Sequence, residues 1–212
     1  MIVQQSPRLE GMTAPQRTSR SPLAGALVVI GGLLAIMWGL EAIDQATRNS
    51  LDAYGIRPRQ TDYLPHVFTA PWLHFGWGHL ISNTIPFLVL GVLNFLAGIV
   101  RWLVTTASSI LGSGLLVWLI SPPGTITAGA SGLVFGWLAY LLVRGFYTRK
   151  LGQIVLAVVV FLFYGGILWG VLPIAVGVSW QAHLGGFMGG VVAAWWLHSG
   201  PRRRREAATP AY

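Results

Sequence analysis

Six apolar runs follow one another along this chain, separated by short polar breaks and one long one. The pattern places them at roughly residues 22–40, 80–100, 102–120, 126–143, 151–172 and 178–197. Each comes near the length of about 20 residues that an α-helix needs to cross the hydrocarbon core of a bilayer. Arg101 alone interrupts the second and third runs, so a tight turn is expected there. The predicted fold class is an all-α membrane protein with six transmembrane helices, over residues 22–198. Short basic tails at 1–21 and 199–212 flank it, both expected to be cytoplasmic and disordered. The long break, about 41–78, carries four of the six acidic residues, Glu41, Asp44, Asp52 and Asp62, with several prolines and aromatics. That content predicts a structured outer insertion, partly embedded in the membrane.

Composition agrees with the pattern. Charged residues make up 9% of the chain and hydrophobic residues 54%, with a mean hydropathy of +0.62. Soluble domains carry about a quarter charged residues. The net charge of +8 comes almost wholly from arginine, in short clusters between apolar runs. No basic face interleaved with aromatics is present, so nucleic acid is not an expected partner. The clusters orient the chain instead. With a cytoplasmic N-terminus, eleven of the fourteen Lys and Arg fall on inner segments and only Arg48, Arg57 and Arg59 on outer ones. The positive-inside rule therefore favours six spans with both ends inside. A basic tail before an apolar run also describes a signal peptide. This run is long for that role and is read as a retained helix. The absence of cysteine excludes disulfides and thiolate chemistry. The preference for Arg over Lys hints at a GC-rich bacterial genome, and hence at a bacterial plasma membrane.

Under this topology helices 2, 4 and 6 all run from outside to inside, so their N-terminal ends share one depth. Helix 2 opens with HFGWGHLISN, which holds His74, His79 and Asn83; helix 4 opens with GASG and Ser131; helix 6 opens with SWQAHLGG and His183. Each residue alone has a bland reading: Ser131 as a small packing residue, His183 as a satisfied core group, Asn83 as a bond to a neighbouring helix. Polar side chains in a membrane are costly, however, and mark functional sites when they converge. Spacing adds to the case. His79 and Asn83 are four apart and project from one helix face. His183, Gly186 and Gly190 share another face, and Gly132 and Gly136 offer helix 4 a matching small-residue surface. Close approach of helices 4 and 6 is expected to bring Ser131 to His183, with Phe135 packed beneath the imidazole.

A serine next to a histidine base is a candidate nucleophile. Asn83, His79 and the backbone N–H of Ser131 are candidate oxyanion donors, the last freed by the turn at Gly129. Helices 2 to 6 contain no carboxylate, so a dyad is expected rather than a triad with an acid. The same absence argues against an aspartyl intramembrane protease and a proton-coupled transporter. No glutamate follows a histidine in the zinc-protease pattern, so no metal is expected. His66 and His198 are read as incidental.

The three stretches TAPWLHFGWGHLISN at 69–83, GASG at 129–132 and AHLGGFMGG at 182–190 together resemble the rhomboid intramembrane serine proteases. G-x-S-G by itself is unspecific; the three motifs in this order are highly specific. The resemblance spans about residues 22–198 and implies a six-helix rhomboid-like bundle. It implies Ser131 as nucleophile, His183 as general base, and His79 and Asn83 in the oxyanion hole. It also implies transmembrane protein substrates cleaved within or beside the bilayer, without metal or cofactor. Phe135 stands where several members of that family carry tyrosine, and GIRPR at 55–59 replaces a Trp-Arg pair in the first loop. No soluble domain is expected ahead of helix 1. The runner-up reading is a catalytically inactive rhomboid-like protein that binds transmembrane segments. The substrate, its gate and the oligomeric state are not legible.

Overall fold

The computed structural model describes residues 21–199, and most of the two expected basic tails lies outside the described residues. Six α-helices follow in order: α1 (Pro22–Ala46), α2 (Trp77–Leu96), α3 (Ile99–Ile120), α4 (Ser131–Thr148), α5 (Leu151–Tyr164) and α6 (Trp180–His198). Three short 3-10 turns, Ser50–Tyr54, Thr61–Val67 and Ala70–Trp72, fill the connection from α1 to α2, so this segment is structured as expected. Among the described residues there is no sheet, only one antiparallel bridge between Ile56 and Thr127.

Several boundaries differ from the apolar pattern, each for a local reason. α1 does not stop at residue 40 but runs to Ala46, because Glu41 and Asp44 are buried against the protein. α4 begins at Ser131, not near 126: Thr127, ahead of it, pairs with the first loop through the Ile56–Thr127 bridge. α5 ends at Tyr164 and the chain tightens into a 3-10 segment, Gly165–Val171, where Gly165 and Gly166 weaken the helix.

α4 is the central post. Every residue from Gly132 to Leu141 is buried, and α2, α3, α5 and α6 all pack on it. Asn94 of α2 donates to the Trp137 carbonyl at 3.1 Å, and the Trp137 indole donates to Thr106 of α3 at 3.0 Å, so polar side chains clip α4 to two neighbours. Small residues close the other contacts. A Cβ added at Gly186 would run into the carbonyl of Gly132, one at Gly190 into that of Gly136, and one at Gly112 into that of Gly185. Backbones approach this closely only where both helices lack side chains at the seam.

The outer helices face the other way. α5 buries a single residue, Val160, and leaves Leu162 and Phe163 open. Four stretches are long and apolar enough to cross a membrane: α1, α2, α3, and α5 taken with its 3-10 extension to Val171. α4 and α6 fall short of that measure because their glycines and polar residues meet protein rather than lipid.

Candidate active site

The site grows out of one strained turn. Gly129 has φ +125°, a conformation that side chains other than glycine rarely adopt, and its N–H bonds the Ala70 carbonyl at 2.9 Å. The segment before it is pinned twice by the first loop, with Ile56 N–H to Thr127 O at 2.8 Å and Thr127 N–H to Ile56 O at 3.0 Å. GIRPR thus has a place in the structure. Gly55 lies against Ile126 and Thr127, while Arg59 donates from its backbone to Trp118 O at 2.9 Å and from its guanidinium to Leu119 O at 3.1 Å. The loop ties the C-terminal end of α3 to the segment that leads into α4.

α4 then starts abruptly. Its N-cap is Ala130, which has no side chain to cap the helix. The first N–H groups of a helix lack intrahelical acceptors, and they carry partial positive charge toward the space in front of them. Ser131 is the first residue of α4 and opens onto that space.

α6 brings the base. Ser179 caps it, accepting from the Ala182 N–H at 3.3 Å. One turn in, His183 is 8% exposed and its Nε2 lies 2.9 Å from Ser131 Oγ. Its Nδ1 lies 2.9 Å from the carbonyl oxygen of Gly170. A carbonyl can only accept, so Nδ1 carries the proton and Nε2 is left as the acceptor toward the serine hydroxyl. Phe135 stacks under the ring, centroids 4.1 Å apart and planes 9° from parallel. Gly170 was not singled out from the sequence. The one available signal was a glycine ending an apolar run without an acid in reach, and that is too common to notice.

α2 completes the group. The Phe75 N–H donates to His79 Nδ1 at 3.4 Å, which places the His79 proton on Nε2. That nitrogen rests against Gly129, where a Cβ would sit 2.8 Å from it. Asn83 is buried and donates through Nδ2 to the His79 carbonyl at 3.0 Å, which uses one of its two N–H groups. His74 precedes α2 rather than opening it; it packs edge-on against His79 and accepts the Ala130 N–H at 3.4 Å. Gly132, Gly186 and Gly190 lie in the α4–α6 seam that sets the Ser131–His183 distance. His66 and His198 lie elsewhere: His66 bonds the Gly55 carbonyl and His198 the Tyr140 hydroxyl.

A cavity of about 390 Å³ opens onto Ser131 and His183, lined also by His79, Asn83, Phe75 and Ile167. A serine hydroxyl bonded to an imidazole, at a partly apolar cavity that His79 and Asn83 also line, has the parts for acyl transfer.

The rhomboid domain family matches residues 61–200. Uncharacterized proteins of Mycobacterium tuberculosis and Mycobacterium bovis are each 48% identical to this chain over 192 residues, covering 84% of it and 80% of their own length. The Rhomboid-like protein 11, chloroplastic, of Arabidopsis thaliana is 31% identical over 174 residues, covering 70% of this chain and 60% of its own. The chain belongs to the rhomboid family.

Proposed function

We propose that this protein is an intramembrane serine endopeptidase that cleaves transmembrane or membrane-proximal segments of other membrane proteins, using a Ser131–His183 dyad. The observation that carries this reading is the 2.9 Å contact between Ser131 Oγ and His183 Nε2, with Nδ1 committed to the Gly170 carbonyl. His183 takes the hydroxyl proton as Ser131 attacks the scissile carbonyl. The oxyanion is met by the His79 Nε2–H, the free N–H of Asn83 and the N–H of Ser131. His183 then returns the proton to the leaving amine, and water hydrolyses the acyl-enzyme by the same path. The Gly170 carbonyl holds the tautomer that a carboxylate holds in a triad. No cofactor is needed for these steps.

In this reading all six helices cross a bacterial plasma membrane, both termini are cytoplasmic, and the cavity opens outward, where water enters. α4 crosses at the centre of the bundle, enclosed by its neighbours, and α6 packs on it with one apolar face left open. The test is reaction of the purified protein with a fluorophosphonate probe in liposomes. Wild type labels; Ser131→Ala and His183→Ala do not and keep their thermal stability; Ser108→Ala and Ser113→Ala still label. A wild-type protein that never labels, beside an active control enzyme, replaces the protease with a non-catalytic binder of transmembrane segments.

A further inference from the structure

Outside the cavity, but joined to the candidate site through His74, lies a group of polar residues that the chemistry above does not use. Glu41 and Asp44 from the last turns of α1 are 2% and 3% exposed, and His74 is 1% exposed. All three line one narrow void between α1 and the segment leading into α2. Most of their bonding capacity is accounted for. Asp44 Oδ1 accepts the Leu51 N–H at 2.6 Å, which folds the first 3-10 turn back onto α1. Glu41 Oε1 accepts from Gln45 at 2.8 Å. His74 Nε2 accepts the Ala130 N–H. Two atoms of these three side chains remain, Glu41 Oε2 and His74 Nδ1, both buried without a partner, as is Oδ1 of the neighbouring Asp52.

Those two atoms are complementary. Because His74 Nε2 is an acceptor, its proton is on Nδ1, and Glu41 Oε2 is an acceptor lining the same void. Leaving either group unsatisfied in the interior is costly, and both face the one void they share.

We infer that Glu41 and His74 are a positioning pair for Ser131, in which the carboxylate accepts the Nδ1–H of His74 and thereby fixes the tautomer whose Nε2 receives the amide of Ala130. The pair reaches the nucleophile through backbone. Ala130 is the residue before Ser131, and Gly129 before it packs against His79. α1 thus acts on the site without touching it, in the way outer-shell partners orient the groups that do the chemistry. His74 is suited to the task because it stays neutral: burial, and then the neighbouring His79, hold its pKa down at about 3. The role rests on the protease reading; the hydrogen bond itself does not.

The experiment uses full-length protein in proteoliposomes. The rate of fluorophosphonate labelling and the kcat and KM for a transmembrane peptide substrate are measured for wild type, Glu41→Gln, Glu41→Leu, His74→Leu and the double Leu variant. Glu41→Gln keeps an acceptor and should stay within about threefold of wild type. Each Leu variant should lose about 10–100-fold in kcat and in labelling rate, the usual cost of an outer-shell partner, with KM unchanged. The double variant should lose no more than either single one, since the pair acts as a unit. Full activity in a folded Glu41→Leu protein, a change confined to KM, or additive losses would overturn the pairing. Nitrogen-15 spectra of the wild-type histidine rings decide the case even where a variant fails to fold. His74 must be the neutral Nδ1–H tautomer, and an Nε2–H tautomer ends the proposal. If wild type labels no probe but His74 shows the expected tautomer, the protease reading fails and the pair survives.

Discussion

The imidazole of His183 is held from both sides by groups from different elements: its Nδ1–H points at the Gly170 carbonyl 2.9 Å away, and its face lies on Phe135. Gly170 belongs to the 3-10 segment after α5, Phe135 to α4 and His183 to α6. Three elements therefore converge to set one proton and one ring plane.

That convergence leaves no room at Gly170. A Cβ there would lie 2.8 Å from His183 Nδ1 and 3.0 Å from Phe135 Cζ. Gly170→Ala should displace the ring and lower kcat by about 10²-fold, the scale of loss for a misplaced catalytic group, while leaving KM and expression near wild type. Gly152→Ala, with nothing near its added methyl, is the control. Equal turnover in the two variants would remove the Gly170 contact from the mechanism.

Asn83 has one N–H on its own helix and one left for the cavity. If that second N–H meets the oxyanion, Asn83→Ala should reduce kcat by about 10²–10³-fold with little change in KM. The measurement is steady-state cleavage of a transmembrane substrate. A variant that cleaves normally assigns Asn83 to helix packing.

Asp52 offers a pH signature. Its carboxyl, in the first loop, is pushed up to about 6 by burial and by the neighbouring Asp44 and Glu41. A carboxyl whose pKa is raised binds its proton more tightly folded than unfolded. Its stabilising contribution is therefore complete below its ordinary value near 3.8 and is lost as pH rises through about 6. Thermal melts of wild type should fall across that window, and melts of Asp52→Asn should fall less, leaving the variant the more stable protein at pH 7. Parallel curves would mean that Asp52 ionises without cost.

The chain's lack of cysteine gives a clean test of topology. Single cysteines at Ser6, Ser50, Thr148 and Ser199 should react with an impermeant maleimide in intact cells only at Ser50. Labelling at Ser199 would contradict a cytoplasmic C-terminus and the six-crossing arrangement.

The sequence by itself determined that helices form along the apolar runs, and it marked the candidate site residues. Apolar runs separated by charge mark helices whatever they pack against, and Ser131, His183, His79 and Asn83 stand out because polar groups in such runs are costly. Helical periodicity also placed Gly132, Gly136, Gly186 and Gly190 on facing seams. Tertiary structure decided what depends on contacts between distant segments. The carbonyl that holds His183 comes from a glycine, and a backbone oxygen leaves no trace in residue type. Glu41 and Asp44 read as loop acids because an ionisable side chain breaks an apolar run, yet both lie buried on α1, since neighbouring backbone and side chains satisfy much of their hydrogen bonding. The apolar pattern starts α4 near 126 for a similar reason: Ile126 and Ala128 are apolar enough for a helix, but the bridge between Ile56 and Thr127 ties that segment to the first loop, and the helix begins at Ser131. Local sequence sets which residues prefer a helix; only the folded chain sets where the helix is allowed to begin.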